Sequence, residues 1–318
     1  MRRREFIATT GLAMAGSVLS HPAMALTRKR NKRRIALVGT GIRGVTFWGK
    51  KLHQEYGDVI EFVGLSDINP GRLSYALQYI GINCPTFVNF DEMMMATRPD
   101  LLIVTTVDST HHQFIIKGLE YGVDVLTEKP LTTDEVKCQE ILNAERRTGK
   151  KVIVGFNYRY GTLPTRIKEL LTANEVGKIT SVDFHWYLNT YHGASYFRRW
   201  HGLREMGGTL LVHKATHHFD LLNWLLNSEP EEVHAYGSLE HYGSNNPFRG
   251  VNCRNCAYTD KCKFYWDITK DQRMMDLYVK NEQYDGYIRD NCLWRHEICL
   301  LYTSDAADEE DSVDLGGR

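Results

Sequence analysis

Ile35-Ala36-Leu37-Val38-Gly39-Thr40-Gly41-Ile42-Arg43-Gly44 is a short apolar run that ends in a glycine-rich turn, and a helical pattern follows it. Gly39, Gly41 and Gly44 fall at G-x-G-x-x-G spacing. In a dinucleotide-binding turn the first glycine permits the tight bend, the second lets backbone approach a pyrophosphate, and the third lets helix pack on strand. The helix N-terminus then offers free N–H groups to phosphate. Thr40, Ile42 and Arg43 complete the turn, so all six residues are candidate cofactor contacts. The motif alone is not specific, but its context agrees. A second strand-like run, Ile60 to Ser66, ends at Asp67, about 20 residues on, where the pattern expects a carboxylate. Asp67 there holds ribose hydroxyls and repels a 2′-phosphate, which favours NAD over NADP.

The 318 residues suggest two domains, and 39 basic residues balance 39 acidic ones. Nothing global therefore favours nucleic acid. No apolar run reaches the ~18 residues that span a bilayer. The bias sits at the ends. Residues 1–25 carry a basic start, a short apolar middle and Ala23-Met24-Ala25, the plan of a signal peptide. Arg3-Arg4 before Glu5-Phe6-Ile7 resembles the bacterial twin-arginine export signal, although the usual preceding Ser or Thr is missing. Export to the periplasm is the expectation, with residues 26–32 as a linker. At the other end, residues 299–318 begin Cys299-Leu300-Leu301-Tyr302-Thr303-Ser304-Asp305-Ala306-Ala307-Asp308-Glu309. This resembles the translation of a transposon adapter used in sequencing libraries, so the natural chain is expected to differ beyond about Glu297. A disordered acidic tail is the alternative.

Between these ends, residues 33–154 alternate strand and helix patterns. Asp100 to Thr105 is the continuous apolar run of a strand buried on both faces. Asn69-Pro70 starts one helix, and Gly122 and Gly149 end two others. The pattern predicts a doubly wound parallel sheet of the Rossmann type. Residues 155–298 read differently. Helices over Thr162 to Leu171 and Leu210 to Leu226, and strands over Ile179 to Leu188 and Val233 to Leu239, predict an α+β domain with an open, mostly antiparallel sheet.

Thr127-Glu128-Lys129-Pro130 follows the strand Val123 to Leu126, at the edge where open α/β sheets bind ligands. Glu128-Lys129-Pro130 at this distance beyond the glycine turn resembles the hallmark of the Gfo/Idh/MocA family of NAD(P)-dependent oxidoreductases. Thr105-Thr106-Val107-Asp108-Ser109-Thr110-His111 stands where that family has a Thr-Pro-Asn-x-x-His loop, with Val107 and Asp108 departing from it. Gly155-Phe156-Asn157-Tyr158-Arg159 resembles its Asn-x-Arg segment. The resemblance covers about residues 33 to 298. It implies cofactor contacts from Thr105, Thr106, His111, Glu128, Lys129 and Asn157, a second domain that carries the substrate site, and a homo-oligomer.

Residues Gly207 to Asp220 resemble the family's Asp-x-Gly-x-His-x-x-Asp segment. His217 and Asp220 match it, while His213 replaces the first Asp and Ala215 the Gly. The resemblance implies His217 as the base and Lys129 as its partner in proton transfer; a group with pKa near the working pH suits that task. His213, four residues from His217, is expected on the same helix face and stands as a third catalytic candidate. A metal held by the two histidines is the competing reading. Tyr187, Tyr191, His192, Tyr196, Phe197 and Trp200, with Arg198 and Arg199 among them, suit either a sugar ring or plain packing. Cys253, Cys256, Cys262 and Cys292 have the spacing of a structural zinc or iron–sulfur site. In an exported protein, two disulfides or free thiols remain open.

The sequence thus predicts an exported NAD-dependent oxidoreductase that transfers hydride between a sugar or polyol carbinol and nicotinamide. Two alternatives are a glycosidase that uses tightly bound NAD in a transient oxidation and a non-catalytic sugar-binding relative.

Overall fold

The computed structural model describes residues 32–298. The expected export signal, all of the linker but Lys32, and the tail from Cys299 lie outside the described residues.

Six parallel strands, β1 (Arg33–Val38), β2 (Ile60–Ser66), β3 (Thr86–Phe87), β4 (Leu101–Val104), β5 (Asp124–Thr127) and β6 (Val152–Val154), lie in the order β3-β2-β1-β4-β5-β6. Register sets what this sheet presents. Val38 pairs with Ser66 and Val104, Val104 with Thr127, and Thr127 with Val154. The residues that follow, Gly39, Asp67, Thr105, Glu128 and Gly155, therefore stand along one edge. Strand order reverses beside β1, the point where such sheets form a ligand crevice.

Successive residues of β1 alternate between two cores. Ile35 and Leu37 join Leu65, Ile103 and Leu73 on one face, whereas Ala36 and Val38 join Leu102, Val104, Met93 and Ile115 on the other. The first face is covered by α1 (residues 44–56, opening as a π-helix over Gly44–Lys51) and α2 (Pro70–Ile80). The second is covered by α3 (Phe90–Thr97), α4 (His111–Glu120) and α5 (Glu135–Thr148). Local signals fix the boundaries. The Asn69 side chain accepts from Arg72 N (3.0 Å), and α2 stops at Gly81 with φ 81°.

Helices α6 (Thr162–Thr172), α7 (Thr190–Arg198), α8 (Thr209–His213), α9 (Thr216–Leu226) and α10 (Gln272–Leu277) follow. A third core gathers Tyr196, Phe197, Tyr242, Phe264, Leu293 and Trp294. Between Phe264 and Leu293 of that core the chain returns to the first domain, and Ile268, Met274, Leu277 and Tyr278 complete the β1–β2 core.

Two expectations change here. The helix predicted over Leu210 to Leu226 is two helices. Ala215 N donates to Leu210 O (3.0 Å), a bond that spans five residues and widens the turn at Lys214, where the helix ends. His213 and His217 consequently do not share a helix face. The antiparallel pairing expected of Ile179 to Leu188 and Val233 to Leu239 is not formed among the described residues. Two lone strands make a marginal ribbon without a third strand or a helix beneath them. Here Val182, Phe184 and Trp186 remain 50%, 37% and 45% exposed.

Candidate active site

The glycine turn is built as its spacing requires. Gly39 has φ 91°, and a Cβ there would meet backbone atoms of Thr105 and Thr106 at 2.6–2.7 Å. A Cβ on Gly44 would strike Gly39 O. At Gly41 a Cβ would meet only the Tyr278 hydroxyl, at 3.4 Å, so the turn leaves room for a close approach at its second glycine. The N–H of Ile42 donates to that same Tyr278 Oη (2.8 Å). These are the features that fit a dinucleotide pyrophosphate.

Asp67 lies at the end of β2, as expected, but is buried and heavily bonded. It accepts from Thr40 N (2.7 Å), Thr40 Oγ1 (2.9 Å), Asn69 N (2.9 Å) and Arg72 Nη2 (2.8 Å). Arg72 also pairs with Asp285 (2.5 Å), which ties this corner to the returning chain. The Arg72 guanidinium beside Asp67 offsets the negative charge on which the preference against a 2′-phosphate rests.

Glu128 braces the first domain. Its Oε1 accepts from Arg43 Nε (2.5 Å) and Trp48 Nε1 (2.8 Å), so the β5 loop is bonded to the helix that begins at the glycine turn. His111, 1% exposed, spans Pro130 O (Nδ1, 3.0 Å) and Thr106 O (Nε2, 3.2 Å). It joins the two loops that flank the crevice. Thr105 Oγ1 donates to Gly39 O (2.5 Å), and the Thr106 hydroxyl accepts from Thr110 Oγ1 (2.9 Å). Asn157 is exposed in the short turn after β6.

Lys129 projects from the same edge. Its Nζ donates to His213 O (2.7 Å) and lies 3.1 Å from His213 Nε2. The other ring nitrogen, His213 Nδ1, is bonded to Asp108 Oδ2. An amine, an imidazole and a carboxyl group thus form one chain, and all three are largely buried. Burial lowers Lys129 to about 8, with the Asp108 charge opposing that shift. Burial raises Asp108 to about 7 and pushes His213 well below the usual imidazole range. The cluster can therefore hold or release a proton near neutrality.

His217, the expected base, has a different setting. His217 stacks flat on Tyr158, with centroids 3.9 Å apart and planes at 5°. Its Nδ1 is buried without a partner, and burial lowers it to about 3, so it stays uncharged. Asp220 is bound by Arg159 Nε (2.7 Å). Of the three catalytic candidates, Lys129 and His213 come together and His217 stands apart on the Tyr158 ring. Asp108, noticed in the sequence only as a departure from the loop pattern, is the third member of the cluster. Tyr196 Oη, buried and unpartnered, is close by: its ring lies 5.4 Å from that of His213. Tyr196, His192 and Lys214 line a cavity of about 280 Å³, so part of the aromatic stretch does face open space near the cluster. Tyr187 and Tyr191 are exposed, while Phe197 belongs to the third core.

Cys253, Cys256, Cys262 and Cys292 meet around one small cavity, yet all are free thiols. Among the described residues, no three His, Cys, Asp or Glu side chains are set to hold a metal, so the zinc or iron–sulfur expectation gains no support; His213 and His217, on separate helices, are not the i, i+4 pair that the two-histidine reading needs. At Cys253, Arg198 Nη1 lies 2.6 Å from Sγ.

Comparison with known proteins agrees with this architecture. The model of the oxidoreductase family with an NAD-binding Rossmann fold matches residues 33–156, and the model of its C-terminal alpha/beta domain matches residues 168–277. The chain belongs to the Gfo/Idh/MocA oxidoreductase family. It is 37% identical over 297 residues to the putative oxidoreductase YteT of Bacillus subtilis, covering 88% of this chain and 69% of that protein. It is 23% identical to an inositol 2-dehydrogenase/D-chiro-inositol 3-dehydrogenase of Lactiplantibacillus plantarum, covering 73% and 67%. Among solved structures, the WlbA dehydrogenase of Bordetella pertussis in complex with NADH and UDP-GlcNAcA matches with TM-score 0.54 and 26% identity. That match covers 61% of this chain and 55% of WlbA, so the chain spans little more than half of the solved relative.

Proposed function

We propose that the protein is an NAD-dependent dehydrogenase of a sugar or polyol and that Lys129, His213 and Asp108 handle the substrate hydroxyl proton. The observation that carries this reading is the chain from Lys129 Nζ through the His213 ring to Asp108, at the strand edge that also holds the glycine turn. The relatives that act on inositols or sugar nucleotides support the substrate class.

Gly39 to Gly44 would hold the pyrophosphate, and Asp67 with Thr40 the ribose next to it. When bound, NAD supplies the hydride-accepting nicotinamide. Lys129 serves the carbinol. With its pKa lowered, it presents a neutral amine to a substantial share of molecules at mildly alkaline pH, so Nζ can take the hydroxyl proton. His213 Nε2 receives a proton from Nζ, and Nδ1 hands one on to Asp108 Oδ2. Asp108, raised by burial to about 7, is mostly ionised at that mildly alkaline pH and so is ready to accept a proton in passing. Tyr196 and His192 line the space where a polyhydroxyl substrate would lie.

The reading extends to location and assembly: export to the periplasm by residues 1–25, supported by Arg3-Arg4 and the Ala23-Met24-Ala25 site, and a homo-oligomer. The test is NADH formation across a panel of inositols, hexoses and sugar acids. Lys129→Ala and His213→Ala should each abolish it. Turnover that survives Lys129→Ala would refute the assignment.

A further inference from the structure

The returning chain carries a feature that the family motifs do not contain. Arg289 is 8% exposed, yet its Nε has no hydrogen-bond partner. Its nearest polar contact is Nη1 to Tyr287 Oη, at 3.5 Å. The guanidinium lies 5.0 Å from the centroid of the Tyr278 ring. Tyr278 in turn accepts the N–H of Ile42 in the glycine turn. A second arginine, Arg199, donates from Nε to Ser195 O (2.9 Å). Among the described residues neither arginine is ion-paired with a carboxylate.

Burying a cation without a bonded counter-ion carries a desolvation cost that a bound anion would offset. Burial, and after it the like charge of Arg289, lowers Arg199 to about 10, so the two guanidinium groups feel each other. Tyr278 and Arg289 therefore stand beside the glycine turn, with a positive charge and a free Nε donor, and among the described residues no carboxylate is bonded to Arg289. Guanidinium groups in that setting match a phosphate.

We propose that Tyr278 and Arg289 form the second, cationic half of the dinucleotide pyrophosphate site, opposite the glycine turn. This rests on the reading that the turn holds NAD. The first half gives backbone N–H groups from the Rossmann domain. The second gives charge from the returning chain, so both parts of the polypeptide grip the phosphates.

The experiment is equilibrium binding of NADH by intrinsic fluorescence, with purified wild type, Arg289→Leu, Arg289→Lys and Tyr278→Phe. A thermal-shift titration with inorganic pyrophosphate runs beside it. Losing a charge-assisted contact should weaken NADH binding about tenfold or more in Arg289→Leu. Arg289→Lys should recover part of that loss. The pyrophosphate-induced rise in Tm should shrink in Arg289→Leu, and Tyr278→Phe should show a smaller loss in both readouts. Circular dichroism and an unliganded Tm close to wild type establish that the variants fold. If folded Arg289→Leu and Tyr278→Phe bind NADH and pyrophosphate like wild type, the proposal is overturned while the NAD reading stands. If wild type itself binds no NADH, the NAD reading fails, and this one falls with it.

Discussion

Asp108 Oδ2 and His213 Nδ1 meet in a buried hydrogen bond that joins the loop after β4 to the end of α8. The two positions are 105 residues apart. Each departs from the family pattern, Asp108 standing for Asn and His213 for Asp, and the two departures meet in one contact. A carboxyl group lost from the helix is supplied from the loop. In the proposed mechanism the proton route is kept with its parts exchanged.

His213→Ala and Asp108→Asn should each lower kcat for NAD reduction by about 10²-fold or more, the scale of a lost proton-transfer group. His217→Phe keeps a flat ring on Tyr158 and should cost less than tenfold. Steady-state kinetics on the best substrate of the panel decide this. A His217 variant that is inactive beside an active His213 variant would reverse the roles.

The rate of carbinol oxidation should rise with pH through an apparent pKa near 8, the value to which burial lowers Lys129. The Asp108 charge holds that value up against burial. Asp108→Asn should therefore move the midpoint to lower pH. A pH–kcat profile of wild type and variant measures the displacement, and a shift to higher pH would contradict the electrostatics.

His217 gives stability its own pH dependence. The unfolded chain protonates this ring near 6.5, the folded protein only near 3. Between these values unfolding takes up a proton, so stability falls as pH falls, by at most ~1.4 kcal/mol per pH unit for this group. In urea unfolding at pH 7 and pH 5, His217→Phe should lose less stability than wild type over that interval.

Gly39→Ala should fail in two ways. Its backbone at φ 91° disfavours a side chain, and the atoms a Cβ would meet belong to the Thr105–Thr106 backbone, which cannot step aside. A loss of about 2 kcal/mol or more is expected, with NADH binding abolished. Chemical denaturation and fluorescence titration check both.

Much of the first domain was legible in the sequence because its cues are local. Asn69-Pro70 starts α2, Gly149 ends α5, and the apolar run at β4 is a strand buried on both faces. Lys129 was legible from its place after β5. What escaped lies in tertiary geometry. No Gly or Pro marks the break at Lys214, so His213 and His217 read as neighbours on one helix. Tyr278 and Arg289 sit in an irregular segment with no periodicity, and only folding carries them to the glycine turn. The cysteine spacing suggested a ligand set, but Arg198 beside Cys253 is a long-range partner that no spacing reveals.

The stretches Ile179 to Leu188 and Val233 to Leu239 have a consequence for handling the protein. Their backbone N–H and C=O groups form no ladder among the described residues, and alternate side chains are apolar and exposed. Such a bare border offers a template to any other extended chain, whether a chaperone's client groove or another molecule of the same kind. Self-association should grow with protein concentration and with warming. Purified material is best kept dilute and cold, and light scattering should precede any kinetic measurement.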